Sequence, residues 1–230
     1  MKDWNAKDFH EHIKFNNKLL KTYSEPKSVI LSFTTHDEVS PVILHGEDFS
    51  IMISWLEAVL PYNPYIIDGF PYGDEYIYPW ANMKAISTET DDDYYFVHRG
   101  KLDIFNFSRR PDGGNKGINT KILQNFKDAA KFRTENLNLI TNSIYIPIKT
   151  DDNEILAFMM QSKNSKSNGI LIIANLHFKE DKNNVIIKNS KFNKKLKFEI
   201  VHGDNNIEFS TRKLSTSLKA GEIKILKVVL

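Results

Sequence analysis

Three groups able to carry chemistry close a single apolar strand. Residues 28–38 read Ser-Val-Ile-Leu-Ser-Phe-Thr-Thr-His-Asp-Glu, so His36, Asp37 and Glu38 follow directly on a β-branched run. An imidazole beside carboxylates can move protons or orient a polar ligand by hydrogen bonds. The C-terminal lip of a buried parallel strand is where an α/β barrel presents such groups to its ligand. Adjacent strand residues face opposite sides, so Asp37 and Glu38 do not act on one ligand as a pair. Only 27 residues precede Ser28, so most of what such a lip works with lies outside the sequence.

The remaining chemistry-bearing clusters are weaker. Asp91-Asp92-Asp93 gathers hard oxygen ligands, but successive carboxylates rarely converge on a cation without a turn and further ligands, and a solvated acidic tip is the reading adopted. His10, His12, His45, His98, His177 and His202 lack metal-ligand spacing. Gly113-Gly114 lacks the Lys-Ser/Thr and the preceding strand of a phosphate loop. The sequence therefore calls for no metal and no cofactor.

The formal net charge is +2, from 31 basic and 29 acidic side chains. That balance gives no electrostatic case for nucleic acid or an anionic membrane. Lys191, Lys194, Lys195 and Lys197 sit between strand-like runs and read as a solvated sheet face. Cysteine is absent, which excludes disulfides and thiolate metal sites. No apolar stretch reaches the ~20 residues that span a bilayer. The polar N-terminus lacks the apolar core of a secretory signal, and a cytoplasmic setting is the expectation.

The elements that must position the lip follow from periodicity. Residues 7–21 carry Phe9, His12, Ile13, Phe15, Leu19 and Leu20 at helical spacing, and Ser24-Glu25-Pro26 ends that helix. A strand over Val29–Thr34 follows. Asp48 is a plausible N-cap for a second helix, Phe49 to Leu60, apolar almost all round and so covered on most sides. Tyr65-Ile66-Ile67 reads as a short strand running into Asp68-Gly69-Phe70. The segment from Pro71 to Gly117 is rich in Tyr, Trp, Asp, Pro and Gly and too long for a mere connector. A third amphipathic helix spans Thr120 to Glu135. From Ser143 short runs recur between turn signals: Ile144–Ile148, Ile155–Met160, Ile170–Leu176, Asn184–Ile187, Leu196–Val201, Ile207–Phe209 and Ile223–Val229. Strands alternating with helices imply parallel βαβ units, and the later run of short strands implies an antiparallel sandwich. The expected division falls near residue 140, with an α/β part at 1–140 and an all-β part at 141–230.

Phe33-Thr34-Thr35-His36-Asp37 resembles the last conserved motif of the α-amylase family of glycoside hydrolases, in which a His-Asp pair ends the seventh strand of a (β/α)8 barrel. The apolar helix, Asn63-Pro64-Tyr65-Ile66-Ile67-Asp68-Gly69 and the aromatic segment resemble that family's seventh helix, eighth strand and following insertion. Lys131-Phe132-Arg133-Thr134-Glu135-Asn136 resembles its eighth helix. Leu156-Ala157-Phe158, Gly169–Leu176 and Leu218–Ile223 resemble its C-terminal β-sandwich. The resemblance runs from about residue 28 to 230, and it rests on several weak motifs in the right order.

It implies the last two βα units of a barrel followed by a sandwich, and a retaining mechanism on α-glucans or maltooligosaccharides. Asp37 matches the aspartate that stabilises the transition state, and His36 the histidine that hydrogen-bonds the same sugar. The family's nucleophile and acid/base stand on its fourth and fifth strands, which are not in this sequence. Arg110-Pro111-Asp112 spells the nucleophile's Arg-x-Asp but follows the eighth strand, so its order rejects it. Retaining hydrolysis needs two carboxyl groups ~5–5.5 Å apart, and a lone aspartate supplies neither the nucleophile nor the proton donor. The chain is therefore expected to be inactive alone and to need the missing N-terminal barrel portion, from a longer chain or a partner subunit. Tyr72, Tyr76, Tyr78 and Trp80 offer sugar-stacking rings, with Tyr78 and Trp80 as the candidates; the other reading makes them the segment's own small core. Two alternatives stand beside the enzyme reading: a non-catalytic α-glucan-binding module, and a subunit whose strands complete another chain's barrel.

Overall fold

The computed structural model describes residues 5–25, 27–33, 40–67, 69–73, 118–165, 168–189, 197–210 and 212–229. Helix α1 (Ala6–Leu20) starts at Asn5, whose side chain accepts from the Asp8 N–H at 3.0 Å, a standard N-cap bond. It buries Phe9 and Ile13 and leaves its lysines outside. Strands β1 (Ile30–Leu31) and β2 (Asn63–Pro64) pair in parallel, and between them lie helices α2 (Pro41–His45) and α3 (Glu47–Val59). This is the βαβ unit that the alternation of periods predicts.

Two details differ from the sequence expectation. Pairing falls at Asn63–Pro64 and not at Tyr65–Ile67, because the Asn63 and Tyr65 N–H groups donate to the Val29 and Leu31 carbonyls at 2.9 and 2.7 Å. The intervening Pro64 nitrogen points away from β1, so its missing donor is no loss to the ladder. The cap of α3 is Gly46, at φ 83°, and not Asp48. The unforeseen α2 ends at that glycine, whose positive φ turns the chain directly into α3. Asp48 lies in the first turn instead, where a carboxylate favours the helix dipole.

After a 3₁₀ turn at Phe70–Tyr72, helix α4 (Thr120–Glu135) begins at Asn119, and short α5 (Leu137–Thr141) leads into the all-β part. There β3 (Ser143–Pro147), β4 (Ile155–Ser162), β5 (Gly169–Asn175), β6 (Lys182–Lys188), β7 (Lys197–His202), β8 (Ile207–Ser210), β9 (Lys213–Leu218) and β10 (Ile223–Val229) form two antiparallel sheets. Their orders are β3-β4-β5-β10-β7 and β6-β9-β8. The strand missing from the sequence reading is β9, whose Ser and Thr residues resemble a turn. Its burial nevertheless alternates, with Leu214, Thr216 and Leu218 inward.

The five-stranded sheet is covered on both faces. Leu156, Phe158, Met160, Ile170, Ile172, Ala174 and Ile225 pack with Phe9, Trp55, Leu60 and Phe132 of the helical part in one core. Ala157, Met159, Leu171, Ile173 and Leu226 pack with Val185, Ile187 and Leu214 of the smaller sheet. Double coverage explains why β4 and β5 are apolar almost throughout although they are antiparallel, where one wet face is common. Lys224 of β10 is fully buried, and its ammonium is held by Asp204, Asn206 and Thr216 Oγ1, joining the two sheets.

One side chain fixes the joint between α4, α3 and β2. The Arg133 guanidinium donates to the carbonyls of Glu57, Ala58, Leu60 and Tyr62 at 3.2, 3.0, 2.8 and 2.6 Å. These include carbonyls at the end of α3, which no intrahelical donor reaches. Arg133→Met should lower the unfolding free energy in urea by about 3 kcal/mol or more. Lys131→Met, at an exposed site on the same helix, should change it by less than about 0.5 kcal/mol.

Candidate functional site

Because β1 and β2 are parallel, the chain leaves both strands at the same end, and the groups singled out in the sequence follow these strands along the chain. His36, Asp37, Glu38, Tyr76, Tyr78, Trp80, Asp91-Asp92-Asp93 and Arg110-Pro111-Asp112 fall outside the described residues. What the structure gives is their footing.

Phe33 stands three residues before His36 and packs on Phe49, Ile53 and Phe70 in a cluster that also takes in Phe126 and Phe178. The lip therefore leaves from a fixed aromatic anchor joining α3, the turn after β2, and α4. Gly69 and Gly73 have φ of 93° and 68° on either side of the Phe70–Tyr72 turn. At Gly73 a Cβ would come within 2.7 Å of Ile122 Cδ1 and 2.9 Å of Asn119 Cβ, so glycine is required there by both conformation and space. The Asn119 N–H donates to the Tyr72 carbonyl at 2.9 Å. The residues that flank the 74–117 segment are thus bonded together, next to the cluster that holds Phe33.

A polar cluster missed by the sequence reading ties the starts of α3 and α4 together. Asn119 caps α4 through the Ile122 N–H at 3.0 Å and donates to Glu47 at 2.9 Å. Lys121 lies 2.5 Å from Glu47 and 3.3 Å from Asp48. The Lys121 and Asn119 hydrogen bonds hold the Glu47 carboxyl below its ordinary range. Both carboxylates are occupied by Lys121, so neither is free to act on a ligand. No group of three metal-ligating side chains occurs among the described residues, and none of their helices is long and apolar enough to cross a membrane.

Near Phe33 sits Glu57, 2% exposed, in the apolar stretch of α3. Neither carboxylate oxygen completes a hydrogen bond. Burial pushes its carboxyl up to about 8, and the nearby Phe33 N–H and Arg133 guanidinium offset only part of that. A lone carboxylate in an all-round apolar helix is the signal that could have found it.

No protein-family model and no curated protein sequence matches the chain. Solved structures do match. A mutant isomaltulose synthase from Erwinia rhapontici NX5, in complex with sucrose, superposes with a TM-score of 0.62 at 13% identity, over 99% of this chain and 47% of that one. Trehalose-6-phosphate hydrolase from Bacillus licheniformis gives 0.62 at 16% identity, over 97% and 47%. A debranching enzyme from Nostoc punctiforme gives 0.64 at 13%, over 97% and 40%. The chain has the fold of the C-terminal half of these α-amylase-family glycoside hydrolases. It spans about half their length. The α-amylase-type likeness expected from the His36-Asp37 motif and the sandwich is thereby found in the fold, and the antiparallel sheets belong to that matched half.

Glu57 gives α3 a pH signature. Burial lowers His10 and His202 to about 4, below their unfolded value of about 6.5, so their contribution rises with pH between those values. Glu57 has the opposite sign. Its folded pKa lies above its unfolded 4.5, so its contribution is fully present below 4.5 and is lost as pH rises through about 8. Of these three groups, Glu57 alone titrates between pH 6.5 and 8, with a slope of up to about 1.4 kcal/mol per pH unit. Urea denaturation should show stability falling across that window, and Glu57→Gln should flatten the fall. An unchanged slope in the variant would refute the assignment.

Proposed function

We propose that this chain is the C-terminal portion of an α-amylase-family glycoside hydrolase acting on α-glucans. Residues 1–140 would supply the last two βα units of the barrel, and residues 141–230 the C-terminal β-sandwich. The observation that carries the reading is the match of nearly this whole chain to less than half of enzymes that include a trehalose-6-phosphate hydrolase and an isomaltulose synthase crystallised with sucrose. In this reading Asp37 stabilises the transition state through the sugar hydroxyls and His36 hydrogen-bonds the same sugar. Both follow an anchored strand, at the end where parallel strands of a barrel present catalytic groups. Tyr78 and Trp80 belong to the segment whose flanking residues are joined next to the cluster that holds Phe33, and they would stack on glucose rings. Nucleophile and acid/base come from the part of the enzyme beyond this sequence.

Among the described residues no third strand joins the parallel pair, and that open edge supports the same reading. Ile30 of β1 is 70% exposed, and Tyr65 and Ile66, just after β2, are 47% and 39% exposed. Large apolar side chains flanking an unpaired strand mark a surface that another strand covers. Whether that strand belongs to the same polypeptide or to a partner subunit, the chemistry is unchanged.

The deciding assay compares the isolated chain with a complex reconstituted from a chain carrying the missing Arg-x-Asp and Glu strands. Maltoheptaose should be cleaved only by the complex. Asp37→Asn should lower its kcat by about 10²–10³-fold, the scale on which a single transition-state contact acts. Trp80→Ala should raise KM while leaving Asp37-dependent chemistry in place. Cleavage by the isolated chain, unaffected by Asp37→Asn, would overturn the reading. Binding of maltoheptaose by the isolated chain, lost in Trp80→Ala but kept in Asp37→Asn, would favour the non-catalytic glucan-binding module.

A further inference from the structure

The opposite end of the parallel pair carries a different surface. Where α1 ends, where the chain turns into β2 and where α5 enters β3, three segments meet around a cavity of about 650 Å³. Five lysines line it: Lys14, Lys18 and Lys21 from α1 and its C-terminus, Lys27 from the approach to β1, and Lys163 from the end of β4. No Asp or Glu is in the lining. A second cavity of about 340 Å³, which shares Lys14 and Pro147 with the first, adds Lys7 and Lys149 with Glu11 as its one acidic member. The chain as a whole is nearly neutral, with a net charge of +2, so this concentration does not follow from composition.

Helix physics accounts for part of the arrangement. Lysines near the end of α1 gain from the helix dipole. But Lys14 and Lys18 are four residues apart, a spacing at which like charges destabilise a helix by tenths of a kcal/mol. The dipole also does not explain why Lys27 and Lys163 converge on the same space from separate segments. Lys27 pairs with exposed Glu25 at 3.6 Å, whereas Lys14, Lys18, Lys21 and Lys163 have no acidic partner among the described residues. Half-buried Tyr145 supplies the aromatic wall, with exposed Ile144 beside it, while Tyr62, also in the lining, is all but fully buried. The Tyr145 hydroxyl shares a hydrogen bond with His10 at 2.6 Å, and the Tyr62 hydroxyl donates to Asn17 at 3.2 Å. Lysines gathered around a fixed aromatic wall, in a space the size of a small-molecule site, complement an anion with a ring or carbon skeleton attached.

We propose that this junction binds a phosphorylated small molecule, its phosphate groups held by Lys14, Lys18, Lys21 and Lys163 and its organic part laid against Tyr145 and Ile144. The site shares no residue with the cluster around Phe33 and does not depend on the glycosidase reading. Lysine suits this role as a compact point charge for phosphate.

Calorimetric titration of the full chain with inorganic pyrophosphate, glucose 6-phosphate and ATP tests the inference, with glucose as the uncharged control. At least one phosphorylated probe should bind at one equivalent, and raising salt from 50 to 300 mM should weaken it several-fold. Glucose should not bind. Lys18→Glu/Lys21→Glu and, separately, Lys163→Glu should each lower affinity at least tenfold while leaving the thermal melt unchanged, since all three side chains are exposed. A response to pyrophosphate alone would assign the site to free phosphate groups, and a preference for glucose 6-phosphate or ATP would show that the tyrosine wall reads the organic part. No saturable binding of any probe, or binding that both charge-reversed variants retain, would overturn the proposal. Binding confined to a long polyanion such as an oligonucleotide would overturn it as well.

Discussion

The carbonyls at the end of α3 have no helical partners, and the Arg133 side chain of another helix satisfies them. Its guanidinium reaches Glu57, Ala58, Leu60 and Tyr62 at once, which is what a planar fork of five donors can do and an ammonium cannot. It also brings a positive charge to the negative end of the α3 dipole. Everything downstream in the chain inherits that geometry. Tyr62 precedes β2, β2 pairs with β1, and β1 runs into Phe33 and then the lip. Arg133 and Phe33 are thus joined through β2 and β1, so a side chain on α4 bears on the footing of the strand that precedes His36.

The second constraint is the five-stranded sheet, which serves two cores. In β4 and β5, alternate residues go to opposite layers, so Phe158 meets Phe9 while Ala157 and Met159 meet the smaller sheet. A sheet used this way joins the helical part and the smaller sheet through its own side chains and leaves little freedom for either to slide. The buried Lys224 belongs to the same logic. It is held by Asp204 and Asn206 from the loop before β8 and by Thr216 from β9, and Gly203, where a Cβ would lie 2.8 Å from Lys224 Cγ, lets that loop close over it. A buried charge with its partners supplied fixes one register between the sheets.

What periodicity encodes was legible in the sequence. Helix α4 falls where its apolar spacing put it, and β10 and most other strands lie within two residues of their apolar runs. What depends on a distant partner was not. No local pattern marks Arg133 as the cap of another helix or Lys224 as a buried cation, because each acquires its role from residues far along the chain; Glu57 did leave a local trace, a carboxylate in the apolar stretch of α3. The strand β9 was hidden for a different reason: Lys-Leu-Ser-Thr-Ser-Leu carries its alternation in small polar residues that also make turns. The shift of β2 to Asn63–Pro64 shows a third kind of failure. A proline argues against a strand only when its missing donor is needed, and which edge needs donors is a tertiary fact. For the candidate site, the sequence named His36 and Asp37 from the end of a strand, and the structure supplies the aromatic anchor that precedes them and the junction of the residues flanking the 74–117 segment.

The edges of the sheets carry the last step. The sandwich ends its sheets with features that discourage further pairing: Pro147 on β3, a four-residue β8, and lysines at both ends of β6. The parallel pair shares two of these, Pro64 in β2 and strands of only two residues, so its backbone is blunted as well. What sets it apart is its side chains: Ile30, with Tyr65 and Ile66 close by, is large, apolar and exposed, without a charge among them. What is left to cover there is apolar surface rather than a long row of unpaired backbone groups. In the proposed enzyme the neighbouring part of the barrel would cover it and would also carry the groups that act with Asp37, so assembly of the barrel and assembly of its catalytic groups would be one event.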